Sequence, residues 1–73
     1  MYCFDILDST DQSVYGYVSH ENEPISKVKE YIRRDVSIPD QRITFYNHGQ
    51  ELPDNYTLSQ CNIENWSEIK MTY

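Results

Sequence analysis

The chain of 73 residues carries twelve acidic and six basic side chains, which give it a net charge of −6 at pH 7. A chain of this length forms one domain, so we expect a single domain over residues 1–73. The acidic balance argues against a nucleic-acid or anionic-membrane partner, because phosphate groups are bound by clustered lysine and arginine. No apolar run approaches the ~18 residues that span a membrane, and no signal peptide precedes the first predicted strand. We therefore expect a soluble, monomeric protein of the cytoplasm or nucleus.

The two cysteines, Cys3 and Cys61, are too few for a disulfide-rich scaffold. Free thiols in a reducing compartment are the simpler interpretation, and a Cys3–Cys61 bridge is the alternative. Together with His20 and His48 they lack the short paired spacing of a zinc site. Their spacing also gives no sign of a base and an orienting group around a nucleophile. We therefore expect no enzymatic activity, no metal and no cofactor.

The N-terminal segment has the pattern of an antiparallel β-hairpin. Residues 2–6 alternate large apolar with small or polar side chains, the period of a half-buried strand. Residues 8–12 are polar and typical of a turn, and residues 14–18 return to strand-forming types.

The next segment has a helical period. Pro24 suits the first turn of a helix, where its missing N–H costs nothing. The helix is expected to end before Ile38-Pro39, because proline disfavours a helical residue before it. One stripe of the helix consists of Ile25, Val28, Lys29 and Ile32.

Three further strands and a short helical turn complete the chain. The strands are predicted at residues 42–46, 50–52 and 68–73, and the helical turn at residues 57–63. The order is then β-β-α-β-β-(short helical turn)-β, a two-layer α+β domain in which helix and sheet cover each other. The core is expected to be closed by Ile43, Phe45, Leu52, Leu58, Ile63, Ile69 and Met71.

Three stretches of sequence accompany this order of elements. They are Ile25-x-x-Val28-Lys29-x-x-Ile32, Ile38-Pro39-Asp40-Gln41-Arg42-Ile43-x-Phe45 and Leu52-Pro53-Asp54-Asn55-Tyr56-Thr57-Leu58-Ser59-x-x-Asn62-Ile63. The order and the three stretches together resemble the β-grasp fold of the ubiquitin superfamily over the whole chain. The segment of residues 54–61 is also similar to the N-terminal ubiquitin-like domain of parkin-type ligases. The resemblance implies one helix packed on a mixed sheet.

The resemblance implies a binding module that is not conjugated to other proteins. Conjugation requires a C-terminal diglycine, whereas this sequence ends at Tyr73, directly after the last predicted strand. We expect a non-catalytic protein–protein interaction domain that docks its parent protein to the ubiquitin–proteasome system, with a ubiquitin-receptor or proteasome-related partner. Two alternatives stay open: a ubiquitin-like modifier whose diglycine tail lies outside this sequence, and a structural subunit of the elongin-B type.

The binding surface is expected on the outer face of the sheet, where the family presents an aliphatic patch. The matching positions here are Thr44 and Thr72, with Lys70 in place of a histidine, so this face is more polar. The candidate partner-binding residues are Arg42, Thr44, Tyr46, His48, Lys70 and Thr72, together with Tyr15 and Tyr17.

Two interpretations of Tyr15 and Tyr17 stay open. If Val14, Gly16 and Val18 face the core, strand alternation places both tyrosines outward, where they form an aromatic contact surface. Alternatively, the tyrosines pack over neighbouring strands and cover the edge of the sheet. We expect Trp66, in the turn before the last strand, to cap one end of the core.

Overall fold

The computed structural model describes residues 1–37 and 42–73. Within these residues, one helix packs on a five-stranded sheet with the strand order β2-β1-β5-β3-β4. The helix ends at Asp35, before Ile38-Pro39 as predicted. The Ile38-Pro39 pair and the other two of the first four residues of the second family-like stretch lie outside the described residues. In the described part of the chain, no helix is long and apolar enough to cross a membrane. The elements are β1 (Tyr2–Asp8), β2 (Val14–Ser19), α1 (Ile25–Asp35), β3 (Thr44–Asn47), β4 (Gln50–Glu51) and β5 (Ser67–Thr72).

The sheet is mixed, because its central pair is parallel and its outer pairs are antiparallel. β1 and β5 run side by side in the same direction, with Ile6 opposite Ile69. β2 pairs antiparallel with β1, and β3 pairs antiparallel with both β5 and β4. The predicted helical turn contains hydrogen bonds from the Cys61 N–H to the Thr57 carbonyl, 3.1 Å, and from the Ile63 N–H to the Leu58 carbonyl, 3.0 Å. The predicted α+β fold, with one helix on a mixed sheet, is confirmed.

The core lies between α1 and the face of the sheet that it covers, which we call the inner face. Every residue predicted to close the core is buried, as are the three aliphatic residues of the helix stripe. Each fully buried aliphatic side chain contributes roughly 1.5–3 kcal/mol. Phe4 and Ile6 of β1 complete the set, which comprises Phe4, Ile6, Ile25, Val28, Ile32, Ile43, Phe45, Leu52, Leu58, Ile63, Ile69 and Met71.

The segment after β4 forms hydrogen bonds and an ion pair with the first turns of α1. Pro24 caps the helix in an extended conformation without a side-chain hydrogen bond. The first helical N–H groups instead donate to backbone carbonyls across the chain, Ile25 to Tyr56 at 2.8 Å and Ser26 to Asp54 at 3.1 Å. This arrangement satisfies donors that a helix leaves free at its first turn. Lys29, the charged member of the predicted stripe, is buried, and its ammonium group pairs with the Asp54 carboxylate.

Of the two interpretations of Tyr15 and Tyr17, the outward-facing aromatic surface is wrong. Pairing with β1 places Tyr15 opposite Ile6 and Tyr17 opposite Phe4, and all four side chains therefore belong to the inner face. The tyrosines are half-buried against the core, and the Tyr17 ring stacks on Phe4 with centroids 6.3 Å apart. The valines of β2 face outward instead, Val14 54% exposed and Val18 60% exposed. The register of the hairpin therefore turns the tyrosines inward, where their rings bury apolar area against the core.

The prediction that Trp66 caps the core is also wrong. Its side chain is 81% exposed, and its φ of 68° lies in the left-handed region. The Trp66 N–H donates to the carbonyl of Cys3, and the Ser67 N–H donates to the Glu64 carbonyl at 3.2 Å. These bonds close the turn before β5 in a conformation that directs the indole away from the core.

The orientation of β2 is tested by substituting two neighbours. We expect Tyr17→Ala to lower the free energy of unfolding by about 2 kcal/mol or more, because a ring packed against the core is lost. Val18→Thr should change it by less than about 0.5 kcal/mol, because the side chain is exposed and remains β-branched. Urea denaturation measures both values. A larger loss for Val18→Thr than for Tyr17→Ala would contradict the orientation.

Candidate functional site

The outer face of the sheet, opposite α1, brings together residues from three strands that are far apart in sequence. Antiparallel pairing of β3 with β5 places Thr44 opposite Thr72 and Tyr46 opposite Lys70. Parallel pairing of β5 with β1 places Leu7 on the other side of Lys70. One row across the sheet therefore runs from the Tyr46 ring through the Lys70 side chain to Leu7.

A shallow depression of about 380 Å³ lies on this face at the end of β3. Four of the predicted partner-binding residues, Tyr46, His48, Lys70 and Thr72, line it together. Thr44 lies beside Thr72 at its margin. We call these five residues the Tyr46 surface. The complete lining is Ser9, Tyr46, His48, Gly49, Glu68, Lys70 and Thr72.

The position of His48 follows from the hairpin between β3 and β4. Asn47 pairs with Gln50, so the connection consists of the two residues His48 and Gly49. Both have positive φ, 53° and 79°, as a type I′ turn requires. Gly49 adopts this conformation without steric cost. The tight turn places the exposed imidazole of His48 at the rim of the depression.

The other rim is fixed by the turn after β1. The Ser9 N–H donates to the Met71 carbonyl at 3.0 Å, which ties the turn to β5. The buried carboxylate of Asp8 accepts hydrogen bonds from the Thr10 N–H at 2.8 Å and from the Tyr73 hydroxyl at 2.9 Å. The latter bond raises the pKa of Tyr73 above the usual value for tyrosine. Both rims of the Tyr46 surface are therefore held by hydrogen bonds.

The Tyr46 surface suits a protein ligand that has both apolar and acidic groups. The tyrosine ring is half-buried and offers an apolar plane with a polar tip. The neighbouring Lys70 is exposed and can donate to a carboxylate. Glu68 is the single acidic residue in the lining of this depression.

The remaining predicted site residues lie elsewhere. Arg42 is exposed before β3 and lines a different depression, together with Lys29 and Arg33. Tyr15 and Tyr17 are on the inner face. Ser9 and Leu7 were not among the predicted site residues. The position of Leu7 could have been predicted, because β1 alternates and Ile6 points inward, which places Leu7 on the outer face.

The buried hydroxyl of Tyr17 has no hydrogen-bond partner among the described residues. Burial raises the pKa of Tyr17 to about 12, and the negative charge of Asp35 adds to this effect. The phenol therefore stays protonated in the folded protein at pH values where an exposed tyrosine ionises.

In the part of the chain that the structure describes, the thiols and possible metal ligands form no clustered site. Cys3 and Cys61 are free, and burial raises the pKa of Cys61. The His20 imidazole lies 2.7 Å from the Glu23 carboxylate, which also accepts a hydrogen bond from the Tyr31 hydroxyl at 2.6 Å. Within residues 1–37 and 42–73, no group of three or more His, Cys, Asp or Glu side chains is placed to hold a metal ion.

The sequence model of the ubiquitin family matches residues 6–72 of the chain. The chain belongs to the ubiquitin family. No curated protein sequence matches it.

Among solved structures, the ubiquitin-like domain of an Arabidopsis thaliana protein, determined by NMR in solution, is similar to this member of the ubiquitin family with a TM-score of 0.83. The two chains are 22% identical, and the match covers 96% of this chain and 73% of the other. At this identity the match shows the fold alone. Family and fold together confirm the predicted ubiquitin-like domain, whereas the closer similarity to parkin-type domains stays a prediction.

The raised pKa of Tyr17 predicts a loss of stability at high pH. Above the ordinary tyrosine pKa of 10.0, the unfolded chain releases a proton that the folded chain retains up to about 12. The unfolded state then binds fewer protons, so the free energy of unfolding falls as pH rises through this window. We expect Tyr17→Phe to make this decline shallower in urea denaturation between about pH 9 and pH 12. An equal decline in both proteins would contradict the assignment.

Proposed function

We propose that this chain is a non-catalytic protein–protein interaction domain that docks its parent protein to a component of the ubiquitin–proteasome system. The contact would be made by the Tyr46 surface. The observation that carries this proposal is the depression on the outer face, where Tyr46, His48, Lys70 and Thr72 meet. Membership of the ubiquitin family supports it, because the resemblance implies recognition through the outer face of the sheet.

The side chains of this surface indicate how a partner would bind. Tyrosine is enriched at interface centres, since its ring buries a large area at low entropic cost. We therefore assign Tyr46 as the anchor that covers an apolar side chain of the partner. Lys70 would pair with a partner carboxylate, and the hydroxyls of Thr44 and Thr72 would take hydrogen bonds that an aliphatic patch cannot offer. A partner with mixed apolar and acidic character fits this arrangement.

We also propose that the domain is monomeric and lies in the cytoplasm or nucleus.

The two alternative functions, a modifier and a structural subunit, predict different experimental results. A modifier would carry a diglycine tail in residues encoded beyond Tyr73 and would be recovered covalently linked to other proteins. A structural subunit of the elongin-B type would co-purify with one stoichiometric partner.

The proposal predicts a defined pattern when the ¹⁵N-labelled chain is titrated with a ubiquitin-binding helix from a proteasomal receptor. Amide shifts should concentrate at the Tyr46 surface. Tyr46→Ala should weaken binding at least about tenfold, the effect expected for loss of an aromatic anchor. Lys70→Ala should weaken it less, and its contribution should shrink as salt is added.

Lys27→Ala is the matched control for Lys70→Ala. Lys27 lies on the solvent side of α1 and pairs with Glu30 at 3.3 Å, in a contact that is exposed on both sides. Such surface pairs contribute about 0–1 kcal/mol, so the fold should be unaffected. Amide shifts confined to α1, or equal losses for Lys27→Ala and Tyr46→Ala, would contradict the Tyr46 surface as the docking site.

A further inference from the structure

Two exposed apolar residues, Val18 and Trp66, flank the half-buried Cys3 at the other end of the outer face. Cys3 of β1 pairs with Val18 of β2, and the Trp66 N–H donates to the Cys3 carbonyl. Trp66 is 81% exposed and Val18 is 60% exposed, and the two residues flank Cys3 on either side of β1. We call Cys3, Val18 and Trp66 the Trp66 patch.

The Trp66 side chain contributes little to the stability of the fold. A bulky residue in the left-handed region costs about 1–2 kcal/mol relative to the right-handed conformation, and the φ of Trp66 is 68°. The exposed indole offsets none of this cost by burial. Glycine would adopt the same backbone conformation without strain.

Unpaired carboxylates lie next to the Trp66 patch. Asp5 of β1 and Glu68 of β5 are directly opposite each other in the parallel register, and both are exposed. The Asp5 carboxylate lies on the β2 side, where one of its oxygens is 3.5 Å from the position that a Cβ on Gly16 would take, whereas Glu68 lines the depression on the β3 side. Glu64 is exposed in the turn two residues before the indole. Among the described residues, none of these three carboxylates has a lysine, arginine or histidine within ion-pair distance.

We propose that the Trp66 patch binds an arginine side chain of a protein segment in which that arginine neighbours an apolar residue. A guanidinium group can stack on the indole face and donate two parallel hydrogen bonds to a carboxylate. It would pair with the exposed carboxylate of Asp5, while the apolar neighbour covers Val18. Arginine fits better than lysine, because its planar group is weakly hydrated and combines stacking with bidentate donation.

This site goes beyond the docking surface proposed above and does not depend on it. The Tyr46 surface lies at the opposite end of the same face and carries the ammonium group of Lys70, which disfavours a cationic ligand. Glu68 also lines the depression of the Tyr46 surface, so a substitution at Glu68 would not distinguish the two sites. Asp5 and Trp66 are absent from that lining, so variants at these positions report on the Trp66 patch alone.

The fluorescence of Trp66 provides a direct readout, because it is the single tryptophan of the chain. The probe is a capped ten-residue peptide with two Arg-Leu pairs in a glycine–serine background. The control peptide has citrulline, which is neutral and nearly isosteric, in place of each arginine. We expect a saturable change in indole emission with the arginine peptide, and binding at least about tenfold weaker with the citrulline peptide.

Variants of the chain complete the test. Asp5→Asn should weaken binding of the arginine peptide several-fold, and Glu30→Gln, which removes an exposed charge from α1, should leave it unchanged. Trp66→Gly removes the backbone strain together with the indole, so the domain stays folded and its binding is followed by ¹⁵N amide shifts. This variant should bind at least about tenfold more weakly.

Several results would overturn the proposal. Equal binding of the arginine and citrulline peptides, or no effect of Asp5→Asn, would show that the guanidinium group is not recognised here. Amide shifts confined to the Tyr46 surface would place the peptide at the other site. An emission change that depends on protein concentration without peptide would show that a second copy of the chain covers the patch.

Discussion

The parallel pairing of β1 with β5 is the constraint on which the rest of the structure depends. It joins the two ends of the chain at the centre of the sheet and places Ile6 beside Ile69 in the core. β2 and β3 attach to the outer sides of this pair, so its register decides which side chains meet on each face. A slip of one residue in β5 would exchange Ile69 with Lys70, exposing an apolar residue and burying a charge. Hydrophobic burial therefore selects the register, and the register in turn assembles the outer face.

The inner face depends on an ion pair as well as on apolar packing. The Lys29 ammonium group lies within the predicted apolar stripe of α1, pairs with Asp54 and is 5.8 Å from the centre of the Phe45 ring. Loss of one partner from a buried pair typically costs about 3–5 kcal/mol, because it leaves an uncompensated charge. The Asp54 side chain is largely exposed, which favours the lower end of that range. Because the Asp54 carbonyl also accepts the Ser26 N–H, one residue ties both backbone and side chain of the helix to the loop after β4.

Local periodicity was sufficient to predict the core but not the orientation of every element. The helical spacing of Ile25, Val28 and Ile32 has one interpretation, and these residues are buried as expected. In β2, valine and tyrosine both favour strands, so alternation predicts a strand without saying which set faces inward. Only the pairing of Tyr17 with Phe4, set by the length of the hairpin turn, decides that question. The direction of Trp66 depends on a left-handed turn residue, which no hydrophobic pattern reveals.

For the candidate site, the family resemblance indicated Thr44, Lys70 and Thr72 on the outer face, and strand alternation added Tyr46. The structure brings Tyr46, His48, Lys70 and Thr72 together around one depression, and their role in binding stays a prediction. The resemblance could not place Trp66 or the opposed carboxylates of Asp5 and Glu68, since these are particular to this chain's register and turn. The outer face thus has two ends of different chemistry, one built on a tyrosine and a lysine, the other on a tryptophan and carboxylates.

The central claim is that these two ends of the outer face bind separate protein segments. It is tested most directly by titrating the arginine peptide into the ¹⁵N-labelled chain already saturated with the receptor helix. Simultaneous binding, with unchanged peptide affinity and two separate groups of shifted amides, is the predicted result. Displacement of one ligand by the other would contradict the account.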